Sequence, residues 1–326
     1  MIDFQRRCRQ KLLLAIAGLF ALVTPFAATA QIVTGLEGAS GSTVGPGGAL
    51  YVTEGAVGRV SRVDPESGAV TTFTSGLPAS IIGIGGAIDV AFIGETAYVL
   101  VTLVGEDVGG TEVVGIYRVD GPDSSTEIAD IGAFSLSFPP ATPFDIPTGV
   151  QYALQTWRGG FLVTDGHHNR VLHVTLDGVV SEFMVFDNIV PTGLAVRGNT
   201  VYMSESGPAP HAPEDGKVVA FGPKSSTATE IASGASLLVD VEFGRGGKLY
   251  ALSQGVWDGA FPGSPALPNT GALVEVSGDG NLTVLMGSVN LPTSLEFIGN
   301  TAYVVTLAGE IFRIDDVSEP PFGRSH

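Results

Sequence analysis

Residues 191–206, PTGLAVRGNTVYMSES, read as a short apolar strand, a turn at Gly198-Asn199 and a second strand centred on Tyr202. Nearly the same pattern returns at residues 292–306, PTSLEFIGNTAYVVT. Weaker copies lie at 44–54 (VGPGGALYVTE), 90–102 (VAFIGETAYVLVT), 147–165 (PTGVQYALQTWRGGFLVTD) and 241–254 (VEFGRGGKLYALSQ). These six copies bring Tyr51, Tyr98, Leu162, Tyr202, Tyr250 and Tyr303 to one central position, 40 to 64 residues apart. Self-similarity at such a spacing marks a propeller or solenoid, whose units bury their apolar faces against one another.

A third run follows each copy, for example GRVSRVD at 58–64, RVLHVTL at 170–176 and GEIFRID at 309–315. The first five copies add a fourth run, such as STEIADIG at 125–132. Four strands in meander make one propeller blade, so the fold class is all-β, a six-bladed β-propeller of four-stranded antiparallel blades. Gly at 45 residues, Pro at 20 and only 15% charged residues agree with many short strands and turns. The sixth copy stops after Ile314-Asp315, and QIVTGLEG at 31–38 resembles TTFTSGLP at 71–78. The N-terminal strand, about residues 31–37, is therefore expected to complete the C-terminal blade and close the ring. The propeller should span 31–317, followed by a short disordered tail at 318–326.

The first thirty residues form a different object. Arg6, Arg7, Arg9 and Lys11 precede the apolar run LLLAIAGLFALV, and Ala28-Thr29-Ala30 offers a small-residue cleavage site. That is the pattern of a cleaved signal peptide, and the run is too short before Thr24-Pro25 for the roughly 20 residues of a membrane span. The expected location is extracytoplasmic, secreted or periplasmic. Cleavage would remove Cys8, the one cysteine, leaving a chain that depends on its core rather than on disulfides. Net charge is −17, and −20 once four basic and one acidic residue leave with the leader. A field of that sign disfavours nucleic acid and anionic membrane as partners and favours solubility and cations; a monomer is expected.

Period-two alternation along each first strand sends Val, Leu and Phe between blades and leaves Asp89, Asp240, Glu242, Ser294 and Glu296 towards the central channel, with Gly149, Gln151, Gly193 and Ala195 in blades 3 and 4. Four carboxylates, Asp89, Asp240, Glu242 and Glu296, could hold Ca²⁺ or another divalent cation, which favours six to eight oxygens. They could equally be solvated or paired to backbone amides. The long connections, 103–114, 132–146, 206–216 and 254–271, all fall on the face shared by the D-to-A and B-to-C links, which is where a binding site is expected. Candidate ligand contacts there are Trp257, Asp258 and Phe261 in the longest loop, His211 in the blade 4 loop and His167 in blade 3. The stretch Asp165-Gly166-His167-His168-Asn169-Arg170 could supply a metal ligand or a general base. Its alternative is structural: Arg170 pairs with Asp165, and Glu54 and Glu205 repeat the acidic position in blades 1 and 4. No nucleophile elbow, phosphate loop, dinucleotide fingerprint or His-Glu-x-x-His helix is present.

The PTG openings at Pro147 and Pro191, VTDGHHNRV in blade 3 and the G-x-L-Y of blades 1 and 5 resemble the NHL-repeat and gluconolactonase-like superfamily of six-bladed propellers. VQYALQTWRGGFLVTDGHHNRV with VPTGLAV and MSESGPAPHAPEDGKVVAF resembles, more narrowly, the scytonemin-biosynthesis D/E-like (ScyD/ScyE) family of exported propellers. The resemblance implies export and a propeller whose activity is unsettled. It also brings the lactonases into view, which hold a divalent metal in the channel; their Asn ligand falls at Thr148 and Thr192 of this sequence. The leading expectation is an exported propeller that binds a small molecule or a protein partner through its long-loop face. The alternatives are a metal-dependent hydrolase of the lactonase class using the channel carboxylates, and a scaffolding protein.

Overall fold

The computed structural model describes residues 29–211, 215–261 and 263–318, and all six repeats fold as four-stranded antiparallel sheets. The chain starts with β1 (Thr29–Val33). Blade 1 follows as β2 (Ala39–Val44), β3 (Leu50–Glu54), β4 (Arg59–Val63) and β5 (Val70–Thr74); blade 2 as β6 (Gly86–Ile93), β7 (Thr96–Thr102), β8 (Gly115–Gly121) and β9 (Ser124–Asp130). A helix, α1 (Ile131–Ser137), leads to blade 3, made of β10 (Gln151–Trp157), β11 (Gly160–Asp165), β12 (Arg170–Val174) and β13 (Val180–Val185). Blade 4 is β14 (Pro191–Arg197), β15 (Thr200–Glu205), β16 (Gly216–Phe221) and β17 (Thr229–Ala235). Blade 5 is β18 (Leu238–Phe243), β19 (Leu249–Ser253), β20 (Gly271–Val276) and β21 (Leu282–Val289), and the chain closes with β22 (Pro292–Ile298), β23 (Thr301–Thr306) and β24 (Ile311–Ile314).

Equivalence of the blades is exact in register. Opposite the six central residues stand Thr43, Ala91, Gln155, Ala195, Glu242 and Glu296, each the direct cross-strand partner. The quoted stretch is β14, a two-residue turn and β15; Gly198 at φ 62° supplies the positive dihedral that a tight hairpin needs. Aromatic rings then lock neighbouring blades. Tyr51 meets Phe92 at 4.7 Å, Tyr202 meets Phe243 at 5.1 Å, and Tyr250 meets Phe297 at 4.8 Å. In each case the tyrosine of one blade packs on the first strand of the next, an edge or tilted geometry that adds to plain burial.

The last sheet has the order β1-β24-β23-β22, so the N-terminal strand completes the C-terminal blade. That strand is Thr29–Val33 rather than the expected 31–37. Residues 34–37 instead cross to blade 1, tied by Leu36 N–H to Gly309 O at 3.1 Å and by Glu37 N–H to the Glu54 carboxylate at 2.7 Å. Residues 1–28 and 319–326, which contain nearly all of the expected leader and tail, lie outside the described residues.

Two further expectations change. The connection 132–146 is not irregular throughout, because its first turns form α1, which Asp130 caps by accepting Ala133 N–H at 2.7 Å. In blade 3 the cross-strand register makes Ala153 and Gln155 the equivalents of Asp89 and Ala91, not Gly149 and Gln151. The shift between Gln151 and Leu154 recurs in blade 4 between Pro191 and Leu194; what differs is the Pro-Thr-Gly, which at 147–149 precedes β10 but at 191–193 opens β14, so alignment on that motif runs four residues early in blade 3.

Candidate functional site

The first strands surround a channel, and its long-loop end opens into a cavity of about 260 Å³. Apolar side chains, among them Ile84, Leu103, Val190 and Leu237, line its outer part; Asp89, Asp240, Glu242 and Glu296 line its inner part. Among the described residues no Lys or Arg lines it.

The apolar rim has a backbone origin. Residues that lead into the first strand adopt a left-handed conformation: Gly38 (φ 67°) in blade 1 and Gly85 (φ 84°) in blade 2, but Val190 (φ 50°), Leu237 (φ 40°) and Leu291 (φ 49°) in blades 4 to 6. Their carbonyls accept the N–H that follows the second strand, as in Val190 O from Ser206 and Leu237 O from Gln254, at 3.0 and 2.9 Å. Branched and bulky residues in this region carry about 1–2 kcal/mol of strain each. Such strain is a feature of ligand sites more than of plain scaffolds.

The inner carboxyls divide into two pairs. Asp89 accepts Val90 N–H at 2.8 Å and Leu154 N–H of the next blade at 2.7 Å; Asp240 does the same with Val241 at 2.8 Å and Leu295 at 2.7 Å. Both oxygens of each are therefore committed to the backbone, and each carboxylate latches one blade to the next. In blade 6 the Ser294 hydroxyl occupies the same place and accepts Ser42 N–H at 3.1 Å. The preceding blades make room: a Cβ on Gly41 would come within 2.2 Å of Asp89 Oδ1, and one on Gly193 within 2.5 Å of Asp240 Oδ1.

Glu242 and Glu296 lie one step deeper, opposite Tyr250 and Tyr303. Burial pushes the Asp240 carboxyl up to about 7 and Glu242 to about 8, partly offset by the backbone N–H groups they accept. Asp89 and Glu296 are raised well above the usual range, again through burial, and for Glu296 also through Glu242, Asp240 and Asp89. Like charges around one channel cannot all ionise together, so protonated carboxyls are favoured at neutral pH.

A divalent ion of the lactonase type fits this arrangement poorly. Among the described residues no three of His, Cys, Asp and Glu are arranged to hold a metal. Nor are the two threonines free to act as ligands. Thr192 Oγ1 lies 2.8 Å from Leu238 O and 2.9 Å from Ser204 O, clamping blade 4 to blade 5, and Thr148 Oγ1 donates to Asp107 at 2.8 Å.

Of the loop candidates, His211 lines the cavity, while Trp257, Asp258, Phe261 and His167 stand outside its lining. Trp257 packs edge-on against His211 at 5.4 Å and donates its indole N–H to Ser264 Oγ at 2.7 Å. Asp258 accepts from Ser264 and from Ala260 N–H, so it holds its own loop, and Phe261 remains 57% exposed. His167 sits against Gly263, whose added Cβ would be 3.3 Å from its ring. Burial lowers the pKa of both His167 and His211, and among the described residues the buried Nδ1 of His211 has no hydrogen-bond partner. Gln155, Leu103 and Leu237 were not among the expected contacts; the early Pro-Thr-Gly of blade 3 hid the first, and the others belong to turns rather than to a motif.

The stretch from Asp165 to Arg170 is structural. Arg170 is fully buried and donates to Asp165 at 3.0 Å, Ser135 Oγ at 2.9 Å, Phe138 O at 2.7 Å and Glu182 at 3.1 Å, with Phe134 under its guanidinium. His168 reaches Ile146 O at 3.0 Å, and Asn169 Oδ1 accepts Ile189 and Val190 N–H. Together they fasten α1 and the following loop onto blade 3. Glu54 with Arg59 and Glu205 with Lys217 hold the same cross-strand register, as a repeat device requires.

No protein-family model and no curated protein matches this chain. Solved structures do match in fold. A gluconolactonase from Xanthomonas campestris aligns at a TM-score of 0.61 with 14% identity, covering 88% of this chain and 89% of that one. The PQQ-bound aldose sugar dehydrogenase of Streptomyces coelicolor gives 0.60 at 14% identity, with 88% and 98% covered. Virginiamycin B lyase from Staphylococcus aureus gives 0.53 at 13%, with 88% and 97% covered. The chain has the six-bladed propeller architecture of gluconolactonase-like proteins. One architecture that carries a hydrolase, an oxidoreductase and a lyase does not select among chemistries.

Proposed function

We propose that this protein is an exported propeller that binds an uncharged small molecule in the channel mouth on its long-loop face. The observation that carries this reading is the cavity itself: an apolar rim, polar groups converging beneath it and no Lys or Arg among the described residues of its wall. Carboxyls held protonated offer hydrogen bonds without charge, and the net charge of −17 repels anions, so phosphorylated and carboxylate ligands are disfavoured. Exposed apolar residues Ile81, Ile82 and Ile84, the last of them in the cavity lining, give a ligand or its carrier further surface to cover. Export rests on the sequence of the first thirty residues. The lactonase alternative is less favoured, because the Asp pair is committed to backbone N–H groups and threonine stands where that chemistry places a ligand.

Ligand-observed NMR of the purified protein against neutral lactones, sugars and aromatic amides tests the proposal. Hits should vanish in Leu237→Trp, which fills the mouth, while the melting temperature is kept. Binding that survives the block, or binding restricted to anions, would place the site elsewhere.

A further inference from the structure

A second site follows from a break in the repeat. In blade 1, Arg59 at the start of β4 clasps Glu54 at the end of β3 with Nε at 2.8 Å and Nη2 at 2.6 Å. In blade 3, Arg170 at the start of β12 spans two carboxylates, Asp165 beside it and Glu182 on β13. Blade 4 keeps both acids in register. Glu205 is the cross-strand partner of Lys217, and Glu230 faces Val219 as Glu182 faces Leu172.

The base is different, and that changes the result. A guanidinium is a planar fork that can reach two carboxylates, whereas an ammonium is a single nitrogen. Lys217 Nζ lies 2.9 Å from Glu230, and its side chain is 43% exposed. Glu205 is left only 4% exposed, with no hydrogen bond to its carboxyl among the described residues. A buried carboxylate without a partner is costly, and native proteins rarely retain one without a use.

Glu205 does not face closed packing. It lines an open cleft of about 520 Å³ between blades 3 and 4, together with Lys217, Glu230 and Asp187, over the apolar Met184 and Phe186. In blade 3 the corresponding space is filled by the Arg170 guanidinium and roofed by α1. We propose that the blade 4 cleft accepts a guanidinium group from outside, seated on Glu205 where blades 1 and 3 place their own arginine. Three carboxyls against one ammonium give the cleft the sign such a ligand needs, and the apolar wall suits the flat faces of a guanidinium, which is weakly hydrated.

The shared chemistry could come from a free guanidino compound or from an arginine side chain of a peptide. Calorimetric titration at pH 8, above the value of about 7 to which burial pushes Glu205, separates them. The probes are methylguanidinium, acetyl-Gly-Arg-Gly-amide and the same tripeptide with citrulline. Both guanidinium probes should bind and the citrulline peptide should not. A tripeptide at least tenfold tighter than methylguanidinium assigns the cleft to peptides; equal affinities assign it to small molecules. Glu205→Gln should weaken binding at least tenfold, and Lys217→Arg should do the same by filling the cleft internally while raising the melting temperature. Leu237→Trp, which blocks the channel mouth, should leave it unchanged, so this site and the channel site can fail separately. Absence of binding by both guanidinium probes, or equal binding by wild type and Glu205→Gln, overturns the proposal.

Discussion

Asp89 of blade 2 accepts the backbone N–H of Leu154 in blade 3 at 2.7 Å, so a side chain on the channel wall, not a ladder of strand hydrogen bonds, joins the two blades there. Asp240 repeats the contact with Leu295. Carboxylates that sequence reasoning assigned to a possible metal are thus part of the joinery, and they make stability sensitive to pH.

The direction of that sensitivity is fixed by linkage. A carboxyl whose pKa is raised by folding holds its proton longer in the folded chain, so stability falls as pH climbs from its unfolded value through its folded one. Asp240, Glu205 and Glu242 lose stability up to about 7, 7 and 8 respectively. His167, His173 and His211, all lowered by burial, act oppositely but only up to about 6.5, the ordinary histidine value. Between pH 6.5 and 8.5 the carboxyls act alone, and the melting temperature should drop, at roughly 1–2 kcal/mol per group. Glu242→Gln should flatten the slope. A melting temperature that is level or rising across that window contradicts the assignment.

Gly193→Ala should destabilise the ring by about 1–3 kcal/mol, the usual range for overpacking. Its Cβ would lie 2.5 Å from both the Cα and Oδ1 of Asp240, and backbone cannot retreat as a flexible side chain can. Urea denaturation measures this directly. Gly47→Ala is not a fair control despite its open surroundings, because its φ is 74°; Gly278→Ala, with nothing within 4 Å and no positive φ, is the control that should be near neutral.

Arg170→Met should cost about 3–5 kcal/mol, as expected when one member of a buried charge network is removed. Arg170→Lys should not rescue it, because one ammonium cannot serve Asp165, Ser135, Phe138 and Glu182 together. Hydrogen exchange should report early opening of α1, and unaltered protection there would mean the helix is held by other contacts.

Removing Gln31 to Val33 should strip the outer strand from the last blade and bare the edge of β24. Val33 is 5% exposed within the core that also holds Val305 and Ile311. A melting temperature lower by about 10 °C or more is expected, at roughly 2–4 °C per kcal/mol for domains somewhat smaller than this one. Light scattering should show self-association through the open edge. A monomer of unchanged stability would show that the strand is dispensable.

The repeat was legible because tyrosine, glycine and alternation recur at fixed offsets; Tyr202 and Tyr303 could be aligned by eye, and the ladder pairs them with Ala195 and Glu296. Phe92, Phe243 and Phe297 were readable as packing residues for the same reason. Less could be read where the signal is not periodic. The Pro-Thr-Gly at 147–149 lies four residues ahead of its counterpart in the ladder, and alignment on it misplaced the channel residues of blade 3. Trp257 and Asp258 looked like free anchors in a Gly- and Pro-rich loop, and only geometry reveals that Ser264 engages both. Loop contacts of this kind depend on approach in space, and no local pattern records them.

The paired steps from Gly41 to Asp89 and from Gly193 to Asp240 recur three blades apart. A period of three is therefore written over the period of one, and the ring is a pair of half-rings. The joints between the halves differ from those inside them: blade 3 brings Ala153 and blade 6 brings Ser294 where the others bring a carboxylate or the glycine that admits one. The latch between blades 6 and 1 is therefore a neutral hydroxyl in the place of a carboxylate, while the seam between blades 3 and 4, where alanine stands, runs beside the cleft that holds Glu205.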